Sequence, residues 1–332
     1  MNRIFCFGEL LLRLSPELGG QWLRQNAMPV FIGGAELNVA TALARWNTSV
    51  AYGTALPGNY LSSEIIDFLN QRNVDTTGII VSGNRIGTYY LSQGADLKNA
   101  DVIYDRAYSS FAGLQPGQIN WDEVLKNIDW FHFSAISPAL NANVAAVCGE
   151  ALRAASKKGA VISIDLNYRA KLWQYGKHPQ EVMPELVEHC DVVMGNLWAI
   201  EKMLGLPVAT DPMKNKDAYV EHSLKTSESL GLQFPKCKQV ANTFRFDVNN
   251  GVNYYATLYA QNKIHCTHEH KTDHVIDKVG SGDAFMAGLI YGNICKWNPQ
   301  ESIEFAAASA FAKLFIRGDA TTASVEEIKK LI

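Results

Sequence analysis

The sequence has no paired cysteines, no run of like charge and no apolar stretch long enough to cross a bilayer. Its six cysteines, Cys6, Cys148, Cys190, Cys237, Cys266 and Cys295, lie far apart, with no C-x-x-C among them. In a long, core-rich chain that spacing reads as reduced thiols packed as small hydrophobes, not as a disulfide framework. The opening MNRIFCFGELLLRL is broken by Glu9 and Arg13 and lacks the apolar core and cleavage site of a signal peptide, so cytoplasmic residence is the expectation. Nothing approaches the ~18 uncharged apolar residues of a transmembrane helix. The 30 basic and 33 acidic residues are interspersed and leave a net charge of -3. No basic footprint for nucleic acid or a membrane surface results, and small molecules are the expected partners.

Several phosphate-binding signatures are missing too. The chain contains no G-x-x-x-x-G-K-[ST], which excludes a P-loop kinase, and no G-x-G-x-x-G followed by H-R-D, which excludes a protein-kinase site. Gly8 ends the first apolar strand, but no dinucleotide-binding G-x-G-x-x-G follows it.

What is present is an ordinary enzyme composition, 332 residues with 47% hydrophobic and 19% charged. That length suits one large α/β domain with an appendage. Ile4 to Gly8 reads as a buried strand, Ala35 to Trp46 as a helix, Ser49 to Thr54 as a strand and Ser62 to Gln71 as a helix capped by its serine. From Trp130 onward, strands at 130–135, 161–166 and 191–196 alternate with helices at 142–157, about 179–189 and 197–204. Residues 207–222 read as a surface excursion, 238–246 and 254–259 as strands, and three helices close the chain near 284–296, 300–316 and 324–331. Such alternation predicts a doubly wound, mostly parallel sheet with helices on both faces. Residues 86–93 and 101–106 read as strands rich in tyrosine and β-branched residues, and residues 11–32 also lack helical period, which predicts a small separate sheet.

The chemistry concentrates in Asp277-Lys-Val-Gly-Ser-Gly-Asp283, between a strand-like His274 to Ile276 and an apolar helix from Ala284. Gly280, Ser281 and Gly282 would expose successive amides at the positive end of that helix, an anion hole suited to a transferring phosphoryl group. Asp283 at its mouth would take the proton of an attacking hydroxyl. A bare G-x-G-D is equally compatible with an ordinary helix cap. Histidines 265, 268, 270 and 274 cluster as well, but no familiar ligand spacing completes a metal site, and a polar hairpin is the better reading.

Gly33-Gly34-Ala35-x-x-Asn38 near the start, with Gly280-Ser-Gly-Asp283 near the end, resembles the ribokinase-like (PfkB) sugar kinases over essentially the whole chain. The resemblance implies ATP and Mg²⁺ as cofactors, a β lid over the sugar and a homodimer built through that lid. It also implies a division into a main domain of residues 1–10, 33–85 and 111–332 and a β lid of 11–32 and 86–110. Within the family the chain is similar to 2-keto-3-deoxygluconate kinases in Gly8-Glu9-Leu-x-Leu-Arg13-Leu-Ser15-Pro16, Tyr90, Tyr104-x-Arg106 and Asp165-x-Asn167-x-Arg169. It implies that Arg106 and Arg169 meet the acid end of the sugar, that Gly34, Tyr90 and Tyr104 meet the rest, and that Asn38 orients it. Asp283 would then activate the 6-hydroxyl. A keto-deoxy acid carries a carboxylate, which arginine's planar fork matches. Taken alone, Arg106 reads as a solvated strand-edge charge and Arg169 as a partner of Asp165.

On the nucleotide side the resemblance implies Asn196, Thr243, Arg245, Gly280 and Gly282. Two departures stand out. Lys278 replaces the threonine common after the first Asp of the late motif, and Ala199 replaces the glutamate of N-x-x-E, which leaves the magnesium network short of a carboxylate. Asp277 resembles the position that helps hold a monovalent cation in some members. A fructokinase or other neutral-sugar kinase, and a non-catalytic sugar-binding relative, remain as alternatives.

Overall fold

The computed structural model describes residues 3–16, 27–92, 102–207, 215–249 and 251–332. The chain opens with β1 (Arg3–Phe7), then β2 (Leu11–Leu14), β3 (Val30–Gly33), α1 (Ala35–Arg45), β4 (Ser49–Leu56), α2 (Tyr60–Asn70) and β5 (Val74–Val81). Strands β6 (Gly87–Tyr90) and β7 (Ile103–Asp105) follow, then a short α3 (Trp121–Val124). Next come β8 (Trp130–Ser134), α4 (Ala142–Lys157), β9 (Val161–Asp165), α5 (Pro179–Val187), β10 (Val192–Met194), α6 (Leu197–Leu204) and α7 (Lys216–Gln233). The chain finishes with β11 (Gln239–Val248), β12 (Gly251–Ala260), β13 (Lys263–Cys266), β14 (His270–Thr272), α8 (Ser281–Ile294), α9 (Pro299–Lys313) and α10 (Val325–Lys329).

The main sheet runs β13-β12-β11-β10-β9-β8-β1-β4-β5, parallel from β11 through β5 and antiparallel where β12 meets β11, β13 and β14. Its central strands are buried on both faces, so WFHFS of β8 has no exposed position, as a parallel sheet under two helical layers requires. One core packs α1, α8 and α9 against one face, and the other packs α4, α5 and α6 against the opposite face. Helix α8 is buried nearly all round, which follows from its place between α1 and α9.

The chain leaves β1 toward β4 on one side and returns through β8 on the other. A switch of this kind opens a crevice at the carboxyl ends of the strands, where ligands of open α/β sheets bind. A second sheet, β3-β2-β6-β7, stands apart from the main one, with Leu12 opposite Ile32 and Tyr89 opposite Tyr104. It lies in the two segments expected to form the lid, of which 17–26 and 93–101 fall outside the described residues.

Three expectations need correction. Helix α2 is capped by Asn59, whose side chain accepts the Ser62 amide at 3.0 Å, so the helix starts earlier and Ser62 lies inside it. Residues 274–276 form no strand; the backbone amides of Ile276 and Asp277 bond instead to Leu314 O at 2.8 and 3.2 Å. The expected excursion 207–222, of which 208–214 lie outside the described residues, includes the start of the 18-residue α7. That helix buries Ser223, Thr226, Ser227 and Leu230, a face too polar to produce an apolar period.

Candidate active site

Strand ends build the site. Beyond β1 stand Gly8 and Glu9; Ser134 ends β8, Asp165 ends β9, and Asn196 follows β10 as the cap of α6, accepting the Ala199 amide at 2.7 Å. With the second sheet and the start of α8, Glu9, Asp165 and Asn196 line a cleft of about 450 Å³.

The loop before α8 holds Gly280 at φ 77°, the left-handed region that favours glycine. A Cβ there would also stand 1.7 Å from Asp319 O, so no other residue fits. The first helical hydrogen bond is from Ala284 N to Gly280 O at 2.9 Å. The amides of Ser281, Gly282 and Asp283 therefore precede the intrahelical ladder and carry the positive end of the helix dipole into the cleft. Ser281 Oγ turns back to Lys278 O at 3.0 Å, which closes the turn.

Asp283 lies in the first turn of α8, with Asn38 Nδ2 donating to its Oδ2 at 2.7 Å. Residues 245 positions apart thus meet at the junction of α1 and α8. Burial pushes the Asp283 carboxyl up to about 8, opposed by the Asn38 hydrogen bond and reinforced by Asp165, Glu36 and Asp319.

Of the expected sugar contacts, Gly34, Asn38, Tyr104, Arg106 and Arg169 all line the cleft. Gly34 adopts φ 134°, and a Cβ on it would stand 2.3 Å from Glu9 O. Arg106 is no solvated edge charge: it is 5% exposed, and its Nε donates to Glu9 Oε2 at 2.6 Å while Ser109 Oγ bonds the other oxygen of Glu9. Arg169 donates through Nη1 to Tyr168 O at 3.0 Å, and Asp165 accepts the Asn167 amide at 3.0 Å. Tyr90 is the exception. Successive strand residues face opposite ways, and it is Tyr89, not Tyr90, that lines the cleft. Tyr89 donates its hydroxyl to Asp319 Oδ2 at 2.6 Å.

The residues expected to meet the nucleotide, Asn196, Thr243, Arg245, Gly280 and Gly282, line the same cleft, as does Lys278. Lys278 Nζ donates to Asp247 Oδ1 at 2.9 Å, and Arg245 Nε lies 3.7 Å from that oxygen, so one carboxylate positions two cations.

The sequence did not reveal the partners of three charged groups. Glu9 holds Arg106. Glu36, 1% exposed, accepts Ser134 N and Oγ through one oxygen at 2.8 and 2.6 Å, and burial raises it to about 7 against those bonds. Arg13 is wholly buried, with Nη2 2.7 Å from Asp277 Oδ2 and Nε in ionic contact with Asp319 Oδ1 at 2.8 Å, short of hydrogen-bond alignment. Their partners lie far away in sequence, and the only local signal was the unusual Glu9 and Arg13 in an apolar opening. Among the described residues, no three His, Cys, Asp or Glu side chains converge as a protein-only metal site. His268 instead pairs with Glu304 at 3.0 Å and His270 stacks on Phe311.

The sequence profile of pfkB family carbohydrate kinases matches residues 1–230 and 250–326. The chain is 27% identical to a 2-dehydro-3-deoxygalactonokinase of Haloferax volcanii, covering 99% of this chain and 96% of that one. A fructokinase of Solanum lycopersicum is 25% identical over 86% of this chain and 80% of its own. The crystal structure of a 2-dehydro-3-deoxygluconokinase from Thermotoga maritima superposes with a TM-score of 0.91 at 35% identity, covering 100% of this chain and 99% of that one. The chain belongs to the pfkB family and is a carbohydrate kinase.

The raised carboxyl of Asp283 has a consequence for stability. Between its unfolded value of about 4 and its folded value, the folded protein holds one more proton than the unfolded chain. The stability this gives is complete below about pH 4 and is lost as pH rises through 8. Asp283→Asn cannot ionise, and its amide oxygen still accepts from Asn38. Thermal melts from pH 5 to 8.5 should therefore show the variant gaining on the wild type as pH rises; a constant or shrinking difference would show that Asp283 titrates normally.

Proposed function

We propose that this kinase transfers the γ-phosphoryl group of ATP to the 6-hydroxyl of 2-keto-3-deoxy-D-gluconate. The observation that carries the reading is the sharing of one cleft by the 280–283 loop, the buried Asp283 and two arginines, one of them braced by a buried glutamate. The 2-dehydro-3-deoxygalactonokinase of Haloferax and the 2-dehydro-3-deoxygluconokinase of Thermotoga, to which the chain is similar, support the same class of sugar acid.

In this reading the sugar acid lies with its carboxylate and keto group against Arg106 and Arg169. Glu9 occupies the Nε edge of Arg106, so its terminal edge faces the acid in a fixed plane, the geometry that bidentate recognition needs. Gly34 and Tyr104 meet the hydroxyls, and Tyr89 takes the lid position first expected of Tyr90. Asn38 serves the sugar through Asp283, whose carboxylate it orients. Asp283 takes the proton of the 6-hydroxyl as that oxygen attacks the γ-phosphorus. The amides of 281–283 accept the charge that develops on the equatorial oxygens.

Asn196, Thr243 and Arg245 hold the nucleotide, and Lys278, poised by Asp247, adds a second cation toward the phosphates. Lys278 thereby turns a departure from the family pattern into charge stabilisation. Mg²⁺ fits this wall: Asp165 raises the Asp283 carboxyl by repulsion, a clash that a hard cation relieves, and magnesium needs only one or two carboxylates beside phosphate and water. Asp165 would hold it in the absence of a glutamate at Ala199, and the ion would neutralise the transferring phosphates.

The same lid gives a homodimer in this reading. Its edge strands β3 and β7 carry Val30 and Ile103, 55% and 57% exposed, and such edges invite pairing with a second copy.

Three measurements test these assignments. An ADP-release assay with ATP and Mg²⁺ should show turnover on 2-keto-3-deoxygluconate and not on fructose, ribose or gluconate; activity on fructose alone would discard the acid and keep the kinase. Asp283→Asn should lower kcat by roughly 100-fold or more with sugar affinity nearly intact, while Arg169→Lys should chiefly raise KM for the acid. Near-normal kcat in the first or an unchanged KM in the second removes the corresponding role. Light scattering should give a dimer for the wild type and a monomer for Val30→Lys combined with Ile103→Lys; an unaltered mass would place the interface elsewhere.

A further inference from the structure

Lys313, in the last turn of α9, has no solvent exposure, and none of the roles assigned above uses it. Burying an ammonium is costly unless opposite charge and hydrogen bonds compensate it. Its Nζ donates to Ile316 O at 2.9 Å, and Asp277 and Asp319 are the carboxylates that most favour its charge. Burial lowers the ammonium to about 8, so the charge is in place at neutral pH. The end of its stem lies against Gly280, where a Cβ would stand 3.5 Å from Lys313 Cε.

The same cluster leaves no seat for an outside ion. Asp277 Oδ2 receives Arg13 Nη2 at 2.7 Å and Gly318 N at 3.2 Å, while Oδ1 receives Val279 N at 3.0 Å and a longer contact from Arg13 Nη1 at 3.4 Å. A monovalent metal ion beside Asp277 would find both carboxylate oxygens engaged and two buried cations facing it. Two carboxylates, Asp277 and Asp319, balance two cations, Arg13 and Lys313. The monovalent cation allowed by the family resemblance does not fit this chain.

We propose that the Lys313 ammonium, together with the Arg13 guanidinium, is a built-in cation that holds the 277–280 loop in its phosphoryl-binding shape, so that the enzyme works without a monovalent metal ion. Lys313 is a positioning residue: it acts through Gly280 and Asp277 and touches neither sugar nor nucleotide. The inference rests on the reading of 280–283 as the phosphoryl-binding loop.

The test compares wild type, Lys313→Ala and Lys313→Met in tetramethylammonium buffers, with potassium or methylammonium added at constant ionic strength. Wild-type kcat should change by less than about twofold with either ion, and its melting temperature should show no potassium-specific rise. Lys313→Ala should lose on the order of 100-fold in kcat, with sugar KM little changed, because only the geometry of the anion hole is spoiled. Potassium or methylammonium, entering the vacated space, should restore about tenfold or more and raise the melting temperature of this variant alone. Lys313→Met should be equally slow and not rescued, since its side chain fills the space. Potassium activation of the wild type, a potassium-specific rise in its melting temperature, or equal rescue of both variants would overturn the proposal. If neither variant folds, the wild-type measurements still decide it. If no sugar is turned over, the melting temperatures judge the cation apart from the kinase reading.

Discussion

Everything in the cleft depends on the close approach of Asp319 to three segments that are remote in sequence. Its backbone oxygen leaves room only for glycine at 280, and its carboxylate stands 2.2 Å from where a Cβ of Gly33 would be. The same carboxylate takes the hydroxyl of Tyr89 on one lid strand and meets Arg13 on the next. Lid, glycine pair and anion-hole loop are therefore referenced to one residue. Buried ionic clusters of this kind contribute little net stability, because desolvation offsets most of the attraction. What they contribute is geometry: each charge has a place where it is compensated and few others. If the 280–283 loop receives a transferring phosphoryl group, as proposed, it needs placement within fractions of an ångström and benefits from that kind of constraint.

The legible parts of this chain were those whose signal is local. A strand buried on both faces is a short apolar run, so WFHFS and VISID announced β8 and β9 without any knowledge of their neighbours. Gly280 and Asp283 were legible for a related reason, since a glycine turn, a helix start and an acid in the first turn occupy four consecutive positions. Helix α7 was hidden because its buried face is made of serine and threonine. Which of Tyr89 and Tyr90 lines the cleft was not legible, because a short strand with tyrosines at both positions does not say which face is inward. Glu9, Arg13 and Glu36 were visible as charges in apolar surroundings, yet a buried charge means nothing until its partner is known. Those partners lie 97 to 306 positions away, the longest separation being that of Arg13 from Asp319 (319 − 13). Pairings of that range are a property of the fold and not of any segment.

The state of Asp283 joins the electrostatics of the cleft to its chemistry. An aspartate in water is too weak a base to take much of a proton from an alcohol, and a permanently ionised one would be costly to bury beside Asp165 and Glu36. Burial resolves both difficulties by raising the carboxyl to about 8, which keeps it neutral in the ligand-free cleft at neutral pH. Ionisation then becomes favourable only when positive charge arrives against those carboxylates. The hydrogen bond from Asn38 holds the acid in one orientation through that change and strengthens when the carboxyl ionises, because a charged acceptor binds an amide N–H more tightly. In the proposed reaction Asp283 is thus ionised, and free to accept a proton, once a cation has arrived with the substrates, and the desolvation cost of the buried carboxylate is set against substrate binding instead of being carried in full by the folded protein.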